Sequence, residues 1–170
     1  GWYRAGDKGF FGSAIAAKLY DGVTPTDIIH GALGDCWLLA AFAAVAEFPH
    51  YFQSHILSVE GENELSENRK YIVTLFNPLM PRDEATGVIK GRDADKNSKE
   101  YQDLLLKVEV DDYIPCYEPK WWQKGAGKGV QTCFAKPNGA ELYVLLLEKA
   151  FAKVAGRYEL LNGGQASLAW

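Results

Sequence analysis

The sequence predicts an α+β fold, with two helices and a small antiparallel sheet in a single domain of 170 residues. Residues 35–48 form an apolar run with five alanines and no polar face, which predicts a buried helix that ends at Pro49. Residues 138–155 carry leucines at helical spacing, which predicts an amphipathic helix. Residues 71–76 and 104–110 are rich in β-branched, aromatic and other apolar side chains, as is typical of strands.

The remaining segments are assigned from their turn residues and polarity. In chain order we expect a surface arm with a short helix at 13–18, one helical turn at 26–29, an acidic connection at 60–70, a long mobile insertion at 77–103 and a third strand at 130–135.

The second helix carries its own boundary signals. Asn138 is a good capping residue and Glu141 follows three residues later, as in a capping box. Glu148, Lys149 and Lys153 are expected to supply a narrow polar side, and a glycine at position 156 is expected to end the helix.

Composition and charge exclude several classes of protein. No apolar run is long enough to span a bilayer, and the first ten residues do not resemble a signal peptide. The net charge of −4 argues against a nucleic-acid partner, although Trp121 and Trp122 lie beside lysines. The three cysteines, Cys36, Cys116 and Cys133, are widely spaced, which argues against disulfides and zinc and favours a reducing, cytoplasmic location.

Cys36 is the clearest candidate for a catalytic residue. It stands on the first turn of the predicted buried helix, after Asp35, a residue type that caps helices, and behind a loop with glycines at 31 and 34. A helix N-terminus favours a thiolate, which is the nucleophilic form of cysteine. From these residues alone, a buried structural cysteine is the commoner alternative.

Residues 31–41, GALGDCWLLAA, resemble the active-site cysteine segment of calpains, the intracellular calcium-dependent cysteine proteases. Three further segments are similar to the same family: VEVDDYIP at 108–115, ELYVLLLEKAFAK at 141–153 and YELLNGG at 158–164. The resemblance covers most of residues 20–164, with 77–103 as the main divergence. It implies the first, cysteine-bearing half of a calpain or papain-like protease core.

The resemblance implies that Cys36 attacks a peptide carbonyl of a protein or peptide substrate. A cysteine nucleophile needs a base and a group that orients the base. In calpains a histidine and an asparagine of a second protease subdomain fill these roles, but no histidine of this chain follows His55. The second subdomain is therefore an expected partner, and this chain alone is expected to be inactive.

His30 departs from the family pattern, because calpains usually have glutamine there as a side-chain donor of the oxyanion hole. Three interpretations remain open. The histidine ring N–H could donate in place of the amide, with a strength that depends on pH. His30 could instead pair with Cys36 as a base, or the oxyanion hole could be lost.

The resemblance also implies a calcium site beside the cysteine loop. Its ligands would be the backbone carbonyls of Tyr20 and Gly22 and the carboxylates of Asp27 and Glu141. Calcium accepts six to eight oxygen ligands in flexible geometry, so such a set with added waters is suitable. The alternative for Glu141 is the capping box described above, and for Asp27 it is a first-turn acid that the helix dipole stabilises.

Two functions therefore stay open. The first is a calcium-dependent cysteine endopeptidase. The second is a non-catalytic calpain-like interaction module with a structural calcium ion, which is suggested by His30 and by Pro25, where the family commonly has an arginine. Asp111 and Asp112 are expected in a turn, and Trp37 is expected to pack between helix and loop.

Overall fold

The computed structural model describes residues 1–7, 9–12, 15–29, 34–58, 65–117 and 129–164. The strands are β1 (Trp2–Arg4), β2 (Ile28–Ile29), β3 (Leu57–Ser58), β4 (Lys70–Phe76), β5 (Leu105–Asp111), β6 (Tyr113–Pro115) and β7 (Lys136–Pro137). The helices are α1 (Cys36–Ala46), α2 (Pro49–Tyr51), α3 (Lys99–Asp103) and α4 (Tyr143–Ala155), with 3-10 turns at Pro25–Asp27 and Tyr158–Leu161 and a π turn at Phe52–Ile56. The α+β class is as predicted.

The largest sheet has the order β3-β4-β5, and both of its pairings are antiparallel. Its long pairing runs from Lys70 opposite Asp111 to Phe76 opposite Leu105. Tyr71 and Val73 are buried while Ile72 between them is exposed, so one face of the sheet contacts the core. Both predicted strands are confirmed. The first begins one residue earlier than expected, and the second begins and ends one residue later.

One hydrophobic core joins α1, α4 and this sheet. The helix α4 packs on β4 and β5, and its Phe151 ring centroid lies 5.5 Å from that of Phe42 in α1. The prediction that α1 is covered on every side is wrong for one face, because Cys36, Ala40 and Ala44 are exposed. These residues are spaced four apart and form a stripe along the helix.

The start of α4 also differs from the prediction. The helix begins at Tyr143, so Asn138 and Glu141 do not form a capping box. The backbone N–H groups of Leu142 and Tyr143 donate instead to the carbonyls of Lys18 and Leu19, at 3.0 and 3.3 Å. A distant segment therefore satisfies donors that a local cap would otherwise serve.

Three shorter assignments are corrected. Residues 130–135 contribute only an isolated bridge between Cys116 and Thr132, and the strand β7 follows them and pairs with β2. Within 26–29 the helical turn stops at Asp27 and Ile28–Ile29 are extended. Residues 15–18 are not helical, while 13 and 14 lie outside the described residues.

The insertion at 77–103 carries structure of its own. A bridge joins Arg82 to Ile89, Ser98 caps α3 by accepting from the Tyr101 N–H, and Ile89 and Tyr101 are buried. The backbone N–H of Asn77 donates to the Leu104 carbonyl at 2.8 Å, which closes the insertion at its base. In the parts of the chain that the structure describes, every helix is too short or too polar to cross a bilayer.

The acidic pair lies where β5 ends: Asp111 is the last residue of the strand, and Asp112 lies in the predicted turn before β6. The Asp111 carboxylate accepts from the Tyr113 N–H at 2.8 Å. Asp112 is fully buried and has ion-pair contacts with Arg69 at 3.0 Å and Arg4 at 3.5 Å. The turn therefore ties β1 and β4 to the end of β5.

Candidate active site

Cys36 is the first residue of α1, and its side chain is exposed. The Asp35 carbonyl begins the helix by accepting from the N–H groups of Leu38 and Leu39, at 2.8 and 3.1 Å. The first N–H groups of a helix have no intrahelical acceptor and carry its positive partial charge. The structure therefore places the thiol outside the core and beside backbone donors, which disfavours the buried structural alternative.

Asp35 stands at the capping position, but its side chain caps nothing. It is 1% exposed and faces Glu148 of α4, which is 2% exposed and accepts from the Ala135 N–H at 3.0 Å. Burial, followed by the hydrogen bond with Asp35 and its charge, raises the pKa of Glu148 to about 9. The residue before Cys36 is thus linked to α4 through a pair of acids.

Trp37 joins the start of α1 to the C-terminal loop. Its indole N–H donates to the Leu161 carbonyl at 2.7 Å, and the Gly163 N–H donates to the Gly34 carbonyl at 2.9 Å. A Cβ on Gly164 would lie 2.3 Å from the Trp37 ring, so only glycine allows this approach. The predicted packing of Trp37 between helix and loop is confirmed.

A cavity of about 390 Å³ opens on the other side of Trp37. Its walls come from β4, α4, the insertion and the C-terminal loop, and include Leu75, Phe76, Arg82, Phe151 and Leu160. The walls are mainly apolar, with one arginine. An apolar side chain of a peptide next to Cys36 would suit such a cavity.

The described histidines do not complete a catalytic pair with Cys36. His50 and His55 follow the C-terminal end of α1, whose 11 residues separate them from its first residue by about 16 Å of helix. His55 stacks on Tyr51 with ring centroids 4.6 Å apart. His30, the glycine at position 31 and the pair Trp121–Trp122 lie outside the described residues, so the oxyanion interpretations of His30 stay predictions.

The predicted calcium ligands lie at one corner of the fold, where the 3-10 turn meets the segment before α4. Asp27 is 6% exposed and accepts from the Thr24 N–H at 2.7 Å, the Tyr143 hydroxyl at 3.0 Å and the Asn138 amide at 3.2 Å. The contact with Thr24 caps the 3-10 turn, so Asp27 does act as a first-turn acid, as the alternative to calcium binding expects. This role does not explain why a second acid, Glu141, is buried beside it.

Glu141 is that neighbour, and one of its oxygens lacks a partner. Its Oε1 accepts from the Asp21 N–H at 2.9 Å, while no donor from the described part of the chain reaches its buried Oε2. Burial, and then the charges of Asp27 and Asp21, raise the pKa of Glu141 to about 7. Among the described residues, no backbone hydrogen bond uses the carbonyls of Tyr20 and Gly22, which flank Asp21. This oxygen-only set fits a hard cation such as calcium.

Within the described residues, no group of three or more histidine, cysteine, aspartate or glutamate side chains is gathered in a ligating arrangement. Two carboxylates and two carbonyls leave the remaining positions of a calcium ion to water.

Sequence reasoning missed the role of Glu148. It was expected on a polar side of α4 with Lys149 and Lys153, but it is buried. The sequence did contain a signal for its burial. The residues four positions before and after it, Val144 and Ala152, are apolar, and both are buried in the structure. Glu148 therefore falls within the apolar stripe of the helix.

Comparison with known proteins identifies the family of this chain. The model of the family "Calpain family cysteine protease" matches residues 2–78 and 101–170. The chain therefore belongs to the calpain family of cysteine proteases. The unmatched residues, 79–100, fall inside the insertion that the sequence analysis set apart.

Individual relatives are similar over most of this chain. The "Calpain-type cysteine protease DEK1" of Arabidopsis thaliana is 32% identical over 154 residues, which is 90% of this chain and 5% of that protein. The "Calpain-1 catalytic subunit" of Homo sapiens is 33% identical over 149 residues, which is 88% of this chain and 16% of that protein. The chain therefore spans only a small part of the length of the curated relatives it matches.

Proposed function

We propose that this chain is the cysteine-bearing half of a calcium-regulated cysteine endopeptidase, with Cys36 as its nucleophile. The observation that carries the proposal is an exposed cysteine at the first residue of α1 in a chain of the calpain family. The three cysteines are all unpaired, which supports a reducing, cytoplasmic setting as part of the proposal.

The chemistry follows from the geometry of the first turn. The Cys36 thiolate attacks a peptide carbonyl, and the C–N bond of the resulting tetrahedral intermediate then breaks to leave an acyl-enzyme. The backbone N–H of Cys36, at the helix start, donates to the developing oxyanion, and one such donor typically contributes about 3 kcal/mol. The departing amine needs a proton from a general acid, and the described histidines lie beyond the far end of α1.

A second protease subdomain is proposed to supply that acid and to cover part of α1. The exposed stripe of Cys36, Ala40 and Ala44 supports this, because small side chains allow another element to approach closely. The apolar cavity beside Trp37 would remain available to a protein or peptide substrate.

Calcium is proposed to bind at Asp27 and Glu141 with the carbonyls of Tyr20 and Gly22. The partnerless Oε2 of Glu141 supports the proposal, since a buried carboxylate oxygen otherwise has an unfavourable environment. When bound, the ion would offset the repulsion between the two acids. The residues themselves join the loop at 20–22 to the segment that starts α4.

Casein hydrolysis by a polypeptide that continues through the second subdomain tests the function. We expect cleavage that requires calcium and is lost in Cys36→Ser, and no cleavage by the 170 residues alone. Cys36-dependent cleavage by the 170 residues alone would contradict the two-subdomain account.

The alternative is a non-catalytic calpain-like interaction module, which histidine in place of glutamine at position 30 supports. His30→Gln in the extended polypeptide separates the two functions. Equal activity in both forms would show that a histidine at position 30 is compatible with catalysis and would favour the peptidase. Activity in His30→Gln alone would show that the natural chain has lost its oxyanion donor, and would favour the module.

A further inference from the structure

Two acids are buried against each other at the start of the nucleophile's helix. Asp35 and Glu148 are 1% and 2% exposed and their side chains are in hydrogen-bonding contact. Unless that contact carries a proton, neither oxygen of Asp35 has a donor among the described residues. One Glu148 oxygen accepts from the Ala135 N–H at 3.0 Å. Two facing carboxylates in a dry site repel each other strongly, and such pairs hold one proton between them.

We propose that Asp35 and Glu148 share one proton, and that Glu148 is thereby a positioning residue that fixes the first turn of α1 and presents Cys36. The inference rests on the proposed function, because presentation of the thiol matters to catalysis only if Cys36 is the nucleophile. Glu148 itself touches no reacting atom and acts through Asp35.

The shared proton connects three separate segments. Asp35 begins α1 with its carbonyl and reaches α4 with its side chain. Glu148 passes the connection to the Ala135 backbone. If the proton leaves, two negative charges remain in a buried site next to the positive end of α1. The first turn must then move or admit water, and the added charge disfavours a thiolate at Cys36.

The other titratable groups around Glu148 do not offset that charge. Tyr158, on the 3-10 turn after α4, interacts with Glu148, and no described residue forms a hydrogen bond with its buried hydroxyl. Asp111, Cys116 and Cys133 also interact electrostatically with Tyr158. Burial raises the pKa of Tyr158 above its usual range and that of Cys116 to about 12, so both stay neutral when the acid pair loses its proton.

The test compares the wild-type chain with Glu148→Gln, Glu148→Ala and Asp35→Asn. A glutamine at 148 can donate to Asp35 and accept from the Ala135 N–H at every pH, so it imitates the protonated acid. The readout is the rate of iodoacetamide alkylation at Cys36 in the intact chain, measured by peptide mass spectrometry. Each rate is divided by that of Glu148→Gln at the same pH, which cancels the ionisation of the thiol itself.

We expect wild type and Glu148→Gln to react equally at neutral pH, and Glu148→Ala to differ from both by about threefold or more. Above about pH 9, where the pair loses its proton, the wild-type rate should fall about three- to tenfold relative to Glu148→Gln. At about pH 8, where Glu141 is largely ionised, infrared difference spectra of the wild type against Glu148→Gln and against Asp35→Asn should each show a protonated carboxyl band that belongs to the wild type.

A ratio that stays constant across the pH range, or the absence of that band from both difference spectra, would overturn the proposal. Neither measurement needs the Glu148→Ala chain to fold. Both are independent of peptidase activity, so an inactive extended polypeptide with the expected ratio and band would reject the proposed function and leave the shared proton standing. An active one with a constant ratio would do the reverse.

Discussion

Replacing Glu141 with glutamine separates the cost of burying its charge from its use in binding calcium. The pKa of Glu141 rises from 4.5 to about 7 on folding, mainly through burial. The folded chain thus binds the proton more tightly than the unfolded chain, so wild-type stability falls as the pH rises from about 4.5 to about 7. At about 1.4 kcal/mol per pH unit, a rise from 4.5 to about 7 corresponds to a loss of about 3.5 kcal/mol before any discount for partial solvation.

Glutamine cannot ionise, so Glu141→Gln should not show this loss. Its amide carbonyl can still accept from the Asp21 N–H, and its NH2 group would face Asp27 as a donor. Without calcium, slightly above neutral pH, we expect Glu141→Gln to be about 2 kcal/mol more stable than the wild type, after a discount for partial solvation.

Calcium should reverse that order. A ligand at a hundred times its Kd adds about 2.7 kcal/mol to the stability of the form that binds it. The wild type should gain this and Glu141→Gln should gain little. Because the bound carboxylate must be ionised, the apparent calcium affinity of the wild type should fall up to about tenfold per pH unit below pH 7.

Urea unfolding with calcium or with a chelator, at several pH values, measures each difference. The matched control is Glu109→Gln, since Glu109 is an exposed glutamate of β5 that pairs with Lys70 at 3.0 Å. The control should change stability by less than about 1 kcal/mol and leave the calcium response intact. Equal calcium stabilisation of wild type and Glu141→Gln would refute the reasoning, as would a stability difference between them that does not depend on pH.

Two further predictions concern the surroundings of the nucleophile. In the native chain, Cys36 should react with iodoacetamide at least about tenfold faster than Cys116 and Cys133, because it is exposed while burial raises the pKa of the other two thiols. Mass spectrometry of the alkylated peptides measures the three rates, and equal rates would contradict the prediction. Gly164→Ala should cost about 1–3 kcal/mol in urea unfolding, because its Cβ would lie 2.3 Å from the Trp37 ring, and an unchanged midpoint would show that the ring can move freely.

Local periodicity was sufficient for the long elements of the fold. The strands at 70–76 and 105–111 and the two main helices are where apolar spacing predicted them. It failed at the start of α4, where the carbonyls of Lys18 and Leu19 satisfy the helix donors. Those residues are more than a hundred positions away in the chain, so no local window contains the information.

The candidate site divides in the same way. The motif around Cys36 could be recognised from the sequence because its residues are neighbours in the chain. The contact of Asp35 with Glu148 could not be predicted, because an aspartate at a helix start ordinarily caps the helix, and only the fold brings Glu148 close to its side chain. Asp27 was partly readable, since its contact with Thr24 is local, whereas its contact with Tyr143 spans 116 residues.

The base of the insertion has a consequence for how this chain can vary. Phe76 pairs with Leu105, and the next residue inward, Asn77, bonds to Leu104, so both ends of the insertion are held one step apart on the sheet. Once ends are fixed so closely, doubling a loop costs only about 0.6 kcal/mol. Extra residues at an exposed turn of the insertion should therefore cost little, as long as Ile89 and Tyr101 stay buried, and such a turn is a suitable place to graft an affinity tag or a fluorescent reporter.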